Sequence, residues 1–123
     1  MGKFIIKQSP SGNYIFNLLA NNAQVIANGQ IYKTRANCAG GVQSVITNAP
    51  GAALEDQTAE GFATQTNPKF ELYTDKKGEF RFRLKARNGQ IIAVSEGYTT
   101  KSACLNGIES VRKNAADSPV ENI

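Results

Sequence analysis

The sequence contains no histidine and no tryptophan, one methionine and only two cysteines. Without histidine there is no Ser-His-Asp catalysis, no His-ligated metal centre and none of the usual neutral-pH proton carrier. Two thiols without an imidazole are too few for a standard zinc site, and a disulfide is not expected in a reducing compartment. No apolar run approaches the roughly 18 residues of a membrane span. The opening Met1-Gly2-Lys3-Phe4-Ile5-Ile6 has no signal-peptide apolar core, and Ile6 stands where myristoylation needs a hydroxyl. The expected location is therefore cytoplasmic, away from membranes. Glycine-rich phosphate loops are also missing, so neither a cofactor nor a metal is expected. Nothing local pairs Glu96 or Glu109 with a second carboxylate for acid-base work, and solvated or capping roles are expected for both.

What is present suits one folded domain. The 123 residues are 41% apolar and 20% charged, which argues against disorder. The net charge of +4 lies within the ordinary solubility range and is spread over both halves of the chain. Any functional charge must then be a local stripe.

The chain is an internal duplication. Shifting it by 66 positions aligns residues 2–57 with 68–123 without a gap, and about 19 of 56 pairs are identical. Residues 58–67 form a polar linker between the two copies. The second copy is the clearer. Phe70 to Thr74 reads as a strand, and Asp75-Lys76-Lys77-Gly78 is turn chemistry. Phe80, Phe82, Leu84 and Ala86 alternate with Arg81, Arg83, Lys85 and Arg87, the period of a strand with one buried face. Asn88-Gly89 predicts a two-residue type I′ hairpin, with Gln90 to Ser95 as the third strand. Thr100 is placed to cap a helix with Cys104, Ile108 and Val111 on one stripe. Ser118-Pro119 ends it, and Val120 to Ile123 is a short last strand. The first copy repeats the plan with strands at Phe4–Gln8, Asn13–Asn21, Gln24–Asn28 and Leu54–Gln57, and a helix after Thr34. Its second turn is Asn22-Ala23, where alanine fits positive φ poorly, so that turn is expected to differ. Gly40-Gly41 and Gly107 fall inside the helices, where glycine allows close packing on the sheet.

The run Lys76-Lys77-Gly78-Glu79-Phe80-Arg81-Phe82-Arg83-Leu84-Lys85-Ala86, with Asn88-Gly89-Gln90-Ile91-Ile92-Ala93, Ser95-Glu96-Gly97-Tyr98 and Asn106 to Ala115, resembles the YegP-like family, a bacterial domain of unknown function. The first copy is a diverged version, with Asn28-Gly29-Gln30-Ile31-Tyr32 where Ser-Glu-Gly-Tyr is expected. The resemblance implies an α+β fold of two tandem β3-α-β repeats. They would form one antiparallel sheet, with both helices on one face and the C-terminal strands exchanged. It implies no activity.

Three functional readings follow. Arg81, Arg83, Lys85 and Arg87 share one strand face, and Tyr73 should join them, with Ile92 and Val94 opposite Lys85 and Arg83. Such a face would suit a polyanion, for example nucleic acid, the alternative being a solvated surface. The equivalent positions of the first repeat are apolar: Ile5, Ile15, Leu19 and Ile26 suggest a protein-partner surface or a homodimer contact, unless linker residues such as Phe62 cover them. A monomer is expected, because the duplication places both repeats in one chain. The third reading is an enzyme using Cys104 or Glu96, since a thiol near a helix N-terminus gains thiolate character. The non-enzymatic binding or scaffold protein is preferred, and no residue is assigned a catalytic role.

Overall fold

A computed structural model describes residues 2–122. Each repeat contributes three strands, a helix and a fourth strand. Repeat one supplies β1 (Lys3–Gln8), β2 (Tyr14–Leu19), β3 (Val25–Asn28), α1 (Arg35–Asn48) and β4 (Ala53–Asp56). Repeat two supplies β5 (Lys69–Thr74), β6 (Phe80–Lys85), β7 (Ile91–Val94), α2 (Lys101–Asp117) and β8 (Val120–Asn122). Ile123, expected in the last strand, lies outside the described residues, as does Met1.

The strands form one eight-stranded sheet in the order β4-β5-β6-β7-β3-β2-β1-β8. Each repeat's last strand has crossed to the other repeat: β4 pairs with β5, and β8 with β1. Both of these edge pairings are parallel, so the antiparallel sheet read from the sequence is confined to the six inner strands. β4 runs antiparallel to β3, the strand before its helix, and parallel to β5 of the other repeat; β8 stands in the same relation to β7 and β1. The exchange gives each short edge strand a full-length neighbour.

Both helices lie on one face and touch each other. Thr34 and Thr100 cap them, each Oγ1 accepting the N–H of the third residue on, at 3.0 and 3.1 Å. Between helices and sheet lies a core shared by both repeats, including Phe4, Phe16, Phe70, Phe82, Leu18, Leu84, Val45, Val111 and both cysteines. A 56-residue repeat alone would bury too little surface for comfort, and the shared core removes that limit. Gly41 and Gly107 admit a tyrosine from the segment before each helix: a Cβ there would lie 2.2 and 2.5 Å from the hydroxyls of Tyr32 and Tyr98. Those rings stack on Phe16 and Phe82. Gly40 meets nothing within 4 Å, so the packing role expected of the glycine pair belongs to Gly41 alone.

The turns depart from expectation. All four hairpins close alike. In the β6–β7 turn the Gly89 N–H donates to Ala86 O and the Ala86 N–H to Gln90 O, both at 2.9 Å. Only Gly89 has positive φ, so this is a type I turn with a glycine bulge rather than type I′. Asn88 instead accepts the Gln90 N–H on its side chain at 3.0 Å. The β2–β3 turn is the same turn, with Ala23 forced to φ +66° where its counterpart Gly89 sits at +83°. The expectation that it would differ is therefore corrected: ladder pairing on both sides imposes the conformation on alanine.

Candidate functional site

The functional candidates of the sequence lie on the sheet face that carries no helix. Strand alternation places Lys3, Ile5 and Lys7 of β1 there, with Ile15, Asn17 and Leu19 of β2 paired against them. On the repeat-two half the same alternation brings up Lys69, Glu71 and Tyr73 of β5 opposite Lys85, Arg83 and Arg81 of β6.

Most of the basic stripe is paired internally, with Glu71 shared between two of its cations. Arg81 Nε lies 2.6 Å from Asp75 Oδ2, and its Nη1 donates to the Ser95 carbonyl at 3.2 Å. Arg83 Nε lies 2.5 Å from Glu71 Oε1, with its guanidinium carbon 4.5 Å from the Tyr73 ring centre. Tyr73 thus joins the stripe as expected, as a platform for an arginine of the same chain. Lys85 Nζ lies 3.3 Å from Glu71 Oε2. Arg87 is exposed and has no acidic partner among the described residues. Three of the four cations are therefore already satisfied, which weakens the polyanion reading on physical grounds.

Beneath this lattice is a buried part that sequence reasoning missed. Lys69 Nζ lies 2.7 Å from Glu55 Oε1 and 3.3 Å from Glu71 Oε2, and all three side chains are under one-tenth exposed. Glu55 also accepts the Gln57 amide at 2.6 Å and the Gln65 backbone N–H at 2.7 Å. The Lys69 hydrogen bond, aided by those from Gln57 and Gln65 against the cost of burial, holds the Glu55 carboxyl down at about 2. Burial raises Glu71, but hydrogen bonds from Arg83 and Lys69 outweigh it and the net shift is downward. Glu71 faces Arg83 directly across the ladder, a register legible in the sequence. Glu55 was not legible, because it arrives on the exchanged strand β4. The linker, suspected of covering the apolar half, is tied by these hydrogen bonds to the charged half, and Phe62 stays 43% exposed.

The expected apolar patch is also revised. A β-bulge shifts the β2–β3 register, so Leu18 pairs with Ala27 but Leu19 with Val25. Ile26, the skipped residue, is buried in the core, and Val25 takes its place on the face, 40% exposed. The repeat-two bulge does the same: Val94 opposes Arg83 as expected, but Ile91 rather than Ile92 opposes Lys85. Ile5 and Ile15 are half-buried on the face, while Leu19 is 9% exposed. Lys3 and Lys7 share it, so the patch is amphipathic rather than purely apolar.

Cys38 and Cys104 are fully buried. Burial pushes both thiols up, Cys104 to about 11 with Asp56 adding to the effect. Burial of this kind argues against a reactive thiol. Glu96 is exposed and accepts the Asn28 amide at 3.2 Å. No group of three or more His, Cys, Asp or Glu able to hold a metal occurs among the described residues. No helix among them is long and apolar enough to cross a membrane.

The UPF0339 protein in ptx operon 5'region of Stutzerimonas stutzeri is 73% identical over 48 residues, spanning 39% of this chain and 43% of that protein. The UPF0339 protein YegP of Yersinia pestis is 33% identical over 123 residues, covering 100% of this chain and 96% of its own length. The solution NMR structure of yegP from E. coli, a protein of unknown function, superposes with a TM-score of 0.81 at 29% identity, over 98% of this chain and 91% of that one. The family model described as Domain of unknown function (DUF1508) matches twice, at residues 9–56 and 75–122. The chain therefore belongs to this YegP-like family, as a tandem of two copies.

Proposed function

We propose that the protein is a small non-enzymatic binding module whose working surface is the helix-free face of repeat one. One observation carries this reading. Equivalent positions on one sheet have opposite fates in the two copies. Glu71, Arg83 and Lys85 are locked into ion pairs beside the linker, whereas their counterparts Ile5, Asn17 and Leu19 share an amphipathic face with Lys3, Lys7, Ile15 and Val25. Repeat two thus spends its polar groups on its own stability, and repeat one leaves a mixed apolar and basic surface of the kind partners use.

The test is affinity capture from cells of the source organism with wild type and an Ile5→Lys/Val25→Lys variant. Tyr73→Ser serves as the repeat-two control, and each protein is shown folded by circular dichroism. Specific partners should be lost from the double variant and kept by the control. Identical capture by all three proteins would defeat the proposal.

A further inference from the structure

At the end of the repeat-one face, between the β1–β2 turn and the β3–α1 connection, lies a recess of about 160 Å³ lined by Ser9, Ser11, Asn13, Tyr14, Ile15 and Ile31. Ile31, on its rim, is 72% exposed. We infer that this recess binds an acidic peptide segment that inserts one apolar side chain. The inference rests on the binding-module reading and names the partner's chemistry.

The internal duplication supplies the comparison. The six lining positions correspond in repeat two to Asp75, Lys77, Glu79, Phe80, Arg81 and Gly97. There Arg81 spans the site, pairing with Asp75 and donating to the Ser95 carbonyl. Repeat one has Ile15 in place of Arg81 and Ser9 in place of Asp75, so the arm and its anchor are both gone and a hollow with an apolar floor remains. Ile31 in place of Gly97 adds an apolar wall.

Charge changes in the same direction. Both carboxylates of the repeat-two site are neutral in repeat one, as Ser9 and Asn13. Cations sit on the segments next to its lining residues instead. Lys7 pairs with Ile15 across the ladder. Lys33 follows Tyr32, which bridges Tyr14. The Arg35 guanidinium lies 5.0 Å from the Tyr14 ring centre and bonds the neutral Asn122 amide oxygen at 2.7 Å. None of the three has an acidic partner among the described residues. An apolar floor with hydroxyl and amide groups, bordered by segments whose cations have no acidic partner among the described residues, fits an apolar side chain flanked by carboxylates. A nucleic acid would need stacking surfaces, and here Tyr14 is already covered by Arg35.

The probe is a fluorescein-labelled hexapeptide with one leucine among glutamates, followed by anisotropy. The same peptide with glutamines, and a thymidine oligonucleotide of equal charge, are run alongside. The acidic peptide should bind saturably and weaken as salt rises from ~50 to ~200 mM, because exposed charges are screened over that range. The glutamine peptide should bind at least ~10-fold more weakly, the loss expected when several exposed charge contacts worth ~1.4 kcal/mol in total are removed. The decisive variant is Ser9→Asp/Ile15→Arg, which rebuilds the repeat-two pair and keeps the net charge, so steering is unchanged and only the hollow is filled. It should lose at least ~10-fold in affinity, an insertion contact worth one to two buried methylenes. Ile31→Gly, the other repeat-two residue, should also weaken binding and guards against misfolding of the double variant.

Wild-type affinity in Ser9→Asp/Ile15→Arg, or no saturable binding of the acidic peptide up to ~1 mM (weaker than about −4 kcal/mol), would overturn the inference. Oligonucleotide binding as tight as the peptide's that survives both variants would overturn it too. The binding-module reading fails separately: it falls if Ile5→Lys/Val25→Lys captures the same partners as wild type, whatever the peptide does.

Discussion

The duplication places the same ion pair in two environments, and this gives a sharp test of how the linker contributes to stability. Lys3 and Glu121 are the repeat counterparts of Lys69 and Glu55. The first pair lies 3.1 Å apart with side chains 41% and 57% exposed; the second lies 2.7 Å apart at 8% and 2%. An exposed pair is worth ~0–1 kcal/mol, so Glu121→Gln should cost less than ~0.5 kcal/mol. For Glu55, a carboxyl moved from 4.5 to about 2 corresponds to ~3 kcal/mol if fully counted. The group is inaccessible but lies on an edge strand, and screening by nearby water reduces that to ~1–2 kcal/mol. Glu55→Gln also sets a new amide N–H against the Gln57 donor and leaves Lys69 with Glu71 alone. The expected cost is ~2 kcal/mol at pH 7, or ~6–10 °C in Tm.

The sign of the pH dependence follows from the direction of the shift. The folded-state carboxyl is depressed, so its stabilisation is complete above ~4.5 and is lost as pH falls toward about 2. Denaturant unfolding of wild type, Glu55→Gln and Glu121→Gln between pH 7 and 2.5 is the assay. The gap between wild type and Glu55→Gln should close through that window. A Glu55→Gln cost no larger than that of Glu121→Gln, or a gap independent of pH, would refute the reasoning.

Two further predictions concern the backbone. Ala23→Gly removes a left-handed alanine that costs ~1–2 kcal/mol, less the ~0.5–1 kcal/mol that glycine adds to chain entropy, and should raise Tm by a few degrees; a lower Tm would show that the +66° angle is not strained. Gly107→Ala drives a methyl to 2.5 Å from the Tyr98 hydroxyl and should cost ~1–3 kcal/mol in denaturant unfolding, with only partial recovery in Tyr98→Phe because the ring carbon Cζ still lies 2.9 Å away.

Much of the architecture is local and therefore legible in the chain. Alternation in Phe80 to Arg87, the caps at Thr34 and Thr100, the small residues at 41 and 107 and the 66-residue repeat each report a neighbour-scale constraint. The position of the basic stripe was readable for the same reason, as was Tyr73 beside it. Its meaning was not. Whether Arg83 is a free cation depends on Glu71 one strand away, and whether Glu71 is buried depends on Lys69 and the exchanged strand that carries Glu55. The bulges that withdraw Ile26 and present Val25 likewise arise from turn geometry combined with the ladder, not from period-two spacing.

The sequence by itself determined the duplication, the strand and helix inventory and the family, because these depend on side-chain periodicity and turn chemistry within a few residues. Only the tertiary structure decided which charges are free. Pairing partners across the exchanged strands lie 14 residues apart for Glu55 and Lys69 and far more for Lys3 and Glu121, and ion pairing is set by distance in space rather than along the chain.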